Sequence, residues 1–255
     1  FRAKPQYMTQ NDKGAIICDP PDGETMAFTG LHKVMYMSMW PRTAEEGSRY
    51  ATVKKSYARI VPNLLAPSYR LLPRGRGMVR GKTVHRNIEH AFVYDRDEFM
   101  KRHPGGVHPW AAHVIKVINE RWRLLVCEFG ACDEEKGVAT AIDMICIDSD
   151  GKLVFVELKT GSENGAFERE DGPLKGYAKS VFGMCSPKVR AMMQIICGAW
   201  MVAKWYELST KSYECYVLRV GHDGITLYRV PRTIIRKHSK NLYAQLRAWR
   251  GRSKD

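Results

Sequence analysis

Three ionisable residues, Asp143, Glu157 and Lys159, interrupt an otherwise apolar hairpin pattern between positions 141 and 159. Residues 141–147 and 153–158 are short β-branched runs, and Asp148-Ser149-Asp150-Gly151 between them is a hairpin turn signal. Side chains alternate along a strand, so Glu157 and Lys159 face the same way. Pairing across the turn brings Asp143 towards Glu157. Two carboxylates and an ammonium would then converge in an apolar setting, which is costly unless they pair or hold a cation. The hairpin alone leaves two readings open: a structural ion pair at a sheet end, or a metal site.

A second motif adds to the first. Gly81-Lys-Thr-Val-His85-Arg-Asn-Ile88-Glu89 reads as the first turns of a helix. His85 and Glu89 are four residues apart and share one helix face. Gly81/His85/Glu89, then Asp143, then Glu157/Lys159, then a helix carrying Gln194 occur here in that order. Over residues 79 to 230 the chain thereby resembles the RecB-type exonuclease branch of the PD-(D/E)xK nuclease superfamily. The family's helix usually reads QxxxY, whereas the fourth position after Gln194 is Gly198.

The resemblance implies an α/β fold: a PD-(D/E)xK nuclease core with a mixed central β-sheet flanked by helices. Residues 1–78 would be an N-terminal basic, partly helical extension. Residues 79–230 would form the core, and residues 231–255 a basic C-terminal helix packed on it. It also implies a ligand set for Mg²⁺ or Mn²⁺: His85, Asp143, Glu157 and the carbonyl of Leu158. Hard carboxylate oxygens suit either ion, and an imidazole nitrogen favours Mn²⁺. Glu89, Asp143, Glu157, Lys159 and Gln194 would form the catalytic set. Glu89 would hold a metal-bound water or a second metal, Lys159 would stabilise negative charge, and Gln194 would position Lys159 or a phosphate oxygen. Nearby carboxylates keep a lysine protonated, which favours the electrostatic role over general base.

Charge agrees with a polyanionic partner. The chain has 255 residues and a formal net charge of +14. Residues 70–86 carry Arg70, Arg74, Arg76, Arg80, Lys82 and Arg86 without an acid. Residues 229–254 hold nine Lys or Arg, among them Arg236, Lys237 and Lys240, again without an acid. A basic rim around an acidic centre is what phosphodiester hydrolysis needs: the rim holds backbone phosphates and the centre holds cations. Lys175, Tyr177 and Lys179 lie in a glycine-rich stretch and would add contacts. Tyr69, Tyr177 and Trp249 are candidates for base stacking. Charge alone equally fits a generic basic protein.

Seven cysteines form no framework, and no CxxC pair is present. Cys127, Cys146 and Cys197 sit in apolar runs and read as core hydrophobes. Some RecB-type relatives hold an iron–sulfur cluster through one early and three late cysteines. The last cysteine here is Cys215, so no cluster is expected, and the resemblance is to the clusterless mitochondrial, viral and phage exonucleases. A reducing, intracellular compartment follows: mitochondrion, nucleus or virus-infected cell. No run of 18 apolar residues is present, so no membrane span is expected. The chain begins at Phe1 rather than Met, so a targeting peptide would not be visible in it.

The elements around the motifs read as follows. Residues 1–30 are polar and punctuated by Gly and Pro, which predicts a loop, and residues 31–65 an amphipathic, Met-rich helical stretch. Residues 66–80 read as a basic connector. Helices are expected over 81–92, 110–121, 186–206 and 233–249, and strands over 123–129, 213–219 and 224–230. Glu128, on the first of these strands, reads as an ordinary strand carboxylate or an extra site residue. Residues 160–188 read as a long polar loop.

The reading as a whole is a metal-dependent DNA exonuclease acting on single-stranded or frayed DNA rather than intact duplex. Two alternatives accompany it. One is a metal-dependent endonuclease, for DNA or of the cap-snatching RNA type with the set His…Glu…Asp…Glu…Lys. The other is a non-catalytic nucleic-acid-binding subunit.

Overall fold

The protein is described by a computed structural model covering residues 8–10, 16–18, 26–40, 76–161 and 164–246. It is α/β, with a mixed sheet flanked by helices on both faces. The centre of the sheet has five strands in the order β4-β5-β6-β9-β10. These are β4 (Arg123–Asp133), β5 (Val138–Ile147), β6 (Leu153–Thr160), β9 (Tyr213–Gly221) and β10 (Gly224–Arg229). β4, β5 and β6 pair antiparallel, β6 and β9 parallel, and β9 and β10 antiparallel.

Two apolar cores sandwich the sheet. On one face lie α2 (Arg76–Val93), α3 (Arg96–Arg102) and α4 (Pro109–Arg121). Val84 and Ile88 of α2 are one turn apart, as are Trp110, Val114 and Ile118 of α4. They pack on Val156, Leu158, Leu218 and Val220. α4 starts at Pro109, with the His108 ring accepting the Trp110 N–H. On the other face lies α7 (Pro187–Trp205), opened by Ser186, whose side chain accepts the Val189 N–H. Ala191, Ile195 and Ala199 of α7 join Phe155, Cys215 and Val217. Each fully buried aliphatic side chain contributes roughly 1.5–3 kcal/mol relative to exposure. Two such cores outweigh the several kcal/mol per ion that burying a carboxylate costs.

Several expectations change. Residues 8–30 contain strands where a loop was expected: β1 (Met8–Gln10), β2 (Ile16–Cys18) and β3 (Met26–Gly30). Thr29 and Gly30 of β3 pair in parallel with Val138 and Ala139. The following α1 (Leu31–Ser38) buries Leu31, Val34 and Met35, with Met39 and Trp40 after it, in the α7-side core. Met35 and Met39 are therefore core filler. Helix α2 begins at Arg76, inside the segment read as a connector. Residues 160–188 are not a plain loop. They hold α5 (Asn164–Glu168), β7 (Gly172–Pro173), α6 (Gly176–Phe182) and β8 (Met184–Cys185). The C-terminal helix is α8 (Arg232–Ala244), packed through Ile235, Leu242 and Tyr243. Tyr69, Arg70, Arg74, Trp249 and the helical reading beyond residue 40 lie outside the described residues.

Gly198, four positions after Gln194, packs against β5. A Cβ there would sit 3.4 Å from Ile142 and 3.6 Å from Thr140.

Candidate metal centre

The cleft opens where two strands part. The β5–β6 ladder runs from Ile147↔Leu153 to Met144↔Val156 and goes no further. Asp143 and Glu157 are the next pair, and β5 beyond them turns to β3 while β6 continues along β9 to Thr160. On the other side of β5, Cys127↔Met144 and Phe129↔Ile142 pair but Glu128 and Asp143 between them do not. Glu128 there adopts φ 49°, a left-handed conformation uncommon for a residue with a side chain.

This disruption and helix α2 gather the functional groups. His85 Nδ1 lies 3.2 Å from Glu128 Oε1 and 3.4 Å from Asp143 Oδ1. Asp143 Oδ2 accepts the Leu158 N–H at 2.6 Å. Lys159 Nζ donates to Glu157 Oε1 at 2.5 Å and to Gln194 Oε1 at 3.3 Å. Glu157 and Lys159 share a face, as strand alternation requires, and Gln194 reaches them from α7. The cleft, about 840 Å³, is lined by His85, Glu89, Glu128, Asp143, Glu157, Leu158, Lys159 and Gln194, with Lys82 and Arg86 on its α2 side.

Gly81 explains how α2 approaches so closely. A Cβ at Gly81 would come within 2.8 Å of Thr160 Oγ1, at the end of β6. Glycine lets the helix backbone pass there, and His85 one turn later then meets Asp143.

The electrostatics describe a site short of positive charge. Burial, then the Glu157 carboxylate, push Asp143 up to about 7. Burial opposes a charge on His85, but Asp143 and then Glu128 outweigh it and raise its pKa to about 9. Burial likewise opposes a charge on Lys159, yet Glu157 and Asp143 raise it, so the ammonium stays protonated. Ligand atoms of His85, Glu128 and Asp143 lie within 4.8 Å of one another. One imidazole nitrogen and hard carboxylate oxygens at that spacing fit a divalent cation of the Mg²⁺/Mn²⁺ class.

Glu128 lines the cleft beside His85 and Asp143, at a position the sequence leaves open between an ordinary strand carboxylate and an extra site residue. Its left-handed backbone could not be read from strand propensity. Arg80, expected on the basic rim, is turned inward. It is buried, stacks on Trp110 with its guanidinium carbon 4.1 Å from the ring centroid, and meets His222 Nε2 at 3.3 Å. Tyr177, expected to contact nucleic acid, bonds His238 through its hydroxyl at 2.8 Å. Lys179, Arg236, Lys237 and Lys240 are exposed, but they and Lys175 do not line the cleft. Nothing is described of the Arg76 side chain. Burial pushes the Cys146 and Cys197 thiols up to about 12, in keeping with core hydrophobes. Among the described residues no helix is long and apolar enough to cross a membrane.

No family model matches the chain, and no curated protein does. Among solved structures it is similar to a crystal structure of SSO0001, at 12% identity over 78% of this chain and 85% of that one, with a TM-score of 0.26. A likeness that weak has no bearing on function.

Proposed function

We propose that this protein is a metal-dependent DNA exonuclease of the RecB-type branch of the PD-(D/E)xK superfamily, lacking an iron–sulfur cluster. The observation that carries the reading is the convergence of His85, Asp143, Glu157, Lys159 and Gln194 on one cleft. They come from α2, β5, β6 and α7 and are up to 109 positions apart, from 85 to 194. Structural ion pairs alone do not call for an imidazole, four carboxylates and a lysine at one opening.

His85, Asp143 and Glu128 would hold the cation, with Glu157 beside them. The bound cation supplies Lewis acidity and an activated water for phosphodiester hydrolysis. Lys159, kept protonated by Glu157, offers its ammonium to the charge that develops on the scissile phosphate. Gln194 fixes the lysine from α7. Leu158 holds Asp143 in orientation through its backbone N–H. Lys82 and Arg86 flank the cleft and take backbone phosphates without reading bases. Among the described residues no groove-reading helix or zinc module accompanies them, which favours single-stranded or frayed DNA cut with little sequence preference.

A second reading is favoured by Glu128. With it the centre runs His85…Glu128…Asp143…Glu157…Lys159, the order found in cap-snatching endonucleases. A closed single-stranded circle separates the two. The exonuclease reading expects linear DNA to be degraded while the circle persists. Cleavage of the circle at the linear rate makes the protein an endonuclease.

A further inference from the structure

The central sheet ends on β10. Among the described residues β10 pairs with β9 and with no other strand. Val230, the residue after β10, donates its N–H to Cys215 of β9 at 2.9 Å. Alternation then aims the N–H and C=O of Gly224, Thr226 and Tyr228 at β9, and those of Ile225, Leu227 and Arg229 away from it. Ile225 and Leu227 pack on the core under α2 and α4, and Tyr228 on the core under α7, each only partly buried. Proteins commonly blunt such an edge with a proline, a bulge or a charge. From Gly224 to Tyr228 the strand reads Gly-Ile-Thr-Leu-Tyr in unbroken register with β9, so it has none of these.

We propose that β10 pairs antiparallel with β10 of a second copy of this chain across a two-fold axis, joining the two sheets into one. The inference is independent of the nuclease reading. A second copy is selected because the strand is complementary to itself. Only residues whose backbone groups point outward can exchange hydrogen bonds, so odd positions face odd positions. With the axis at Thr226, Ile225 faces Leu227 of the second copy on one side of the sheet. On the other side Thr226 faces its own counterpart and Tyr228 faces Gly224, an aromatic over a glycine. Asp223, held by Arg219, then stands opposite Arg229, held by Glu214 at 2.6 Å. An axis at Ile225 would set Leu227 against Asp223, and an axis at Leu227 would set Ile225 against Arg229. Thr226 is therefore the centre. An isologous contact of this kind closes after two copies. Each copy carries a formal charge of +14, so the pairing works against a repulsion that salt screens.

The test is sedimentation equilibrium of the full chain over a dilution series at low and high salt. The expected result is a two-chain mass that dissociates on dilution, with the dimer fraction rising as salt rises. Leu227→Lys places an ammonium on the apolar side of the pairing in both copies. Each copy should lose about tenfold, so the dissociation constant should rise about a hundredfold. Where Leu227→Lys also lowers the melting temperature, a cysteine pair decides. In the proposed register Thr226→Cys brings two thiols together on Cβ atoms about 5 Å apart, and mild oxidation should link the chains. Ile225→Cys leaves its two copies diagonal, roughly 7–8 Å apart, and should not link them. The wild type, with its seven native cysteines, gives the background. A single-chain mass at every concentration overturns the proposal. So does linkage through Ile225→Cys in place of Thr226→Cys, or a dimer that Leu227→Lys leaves intact and Thr226→Cys fails to link. A two-chain mass that falls apart as salt rises assigns the association to a bridging polyanion and overturns it too.

Discussion

Asp143 accepts the backbone N–H of Leu158 at 2.6 Å, and this bond stands where the β5–β6 ladder has run out. The carboxylate replaces a main-chain partner on one side and turns its other oxygen to His85. Its position is thus set by the sheet before any ligand arrives. Asp143→Asn keeps an acceptor for Leu158 but removes a charge crowded by Glu157. The metal-free variant is expected to melt no lower than the wild type. Calorimetric titration should show Mn²⁺ affinity reduced at least about a hundredfold, beyond what loss of a supporting group costs. Unchanged Mn²⁺ binding would remove Asp143 from the ligand set.

Glu128 offers a change that separates stability from ligation. Its φ of 49° costs an ordinary residue on the order of 1 kcal/mol, and glycine adopts it freely. Glu128→Gly should therefore raise the melting temperature of the metal-free protein while weakening Mn²⁺ binding. Glu128→Gln should weaken binding without the gain in stability. A glycine variant that melts lower and binds Mn²⁺ normally would show that the residue serves the fold and not the site.

Gly81 and Thr160 should behave as a coupled pair. A methyl at Gly81 meets Thr160 Oγ1 at 2.8 Å and pushes α2, with His85, away from β6. Gly81→Ala is expected to lower cleavage and Mn²⁺ affinity, and Thr160→Ala in the same chain to restore much of both. Additive effects in the double-mutant cycle would mean that the contact does not set the helix position.

Much of the centre was legible because its chemistry sits in spacing. The alternation that puts Glu157 and Lys159 on one face, the hairpin register that brings Asp143 to Glu157, and the i, i+4 face of His85 and Glu89 are all local. Glu128 was legible only as one of two alternatives, since its aim depends on one left-handed residue where β4 and β5 fail to pair. Arg80 read as rim charge because nothing nearby in sequence announces Trp110 and His222 as its partners. Strands β1 to β3 were hidden by turn-rich composition, and the pairing that reveals β3 comes from β5, more than a hundred residues on. Gly198 departs from the QxxxY pattern where α7 packs on Ile142 and Thr140 of β5.

Glu214 gives the pH dependence of stability a defined sign. Burial would raise its pKa, but Arg232, Tyr216 and Arg229 outweigh this and hold it below the usual carboxylate range. A lowered folded pKa means that stability is present above the unfolded value of 4.5 and is lost as pH falls below it. Glu214→Gln should thus lower the melting temperature at pH 7, and the gap to wild type should close below pH 4. A gap that persists at acid pH would assign the role of Glu214 to packing rather than charge.

The central claim is that this cleft hydrolyses DNA with a metal held by its own carboxylates and imidazole. The most direct measurement is digestion of end-labelled single-stranded DNA by the full chain in Mn²⁺, beside Glu157→Ala and Lys159→Ala, with binding of the same DNA measured in chelator. The account predicts digestion by the wild type, none in excess chelator, and none by either variant while Glu157→Ala still binds the DNA at least as well. Digestion at the wild-type rate by either variant or in chelator, or no digestion by a wild type that binds Mn²⁺, would contradict it.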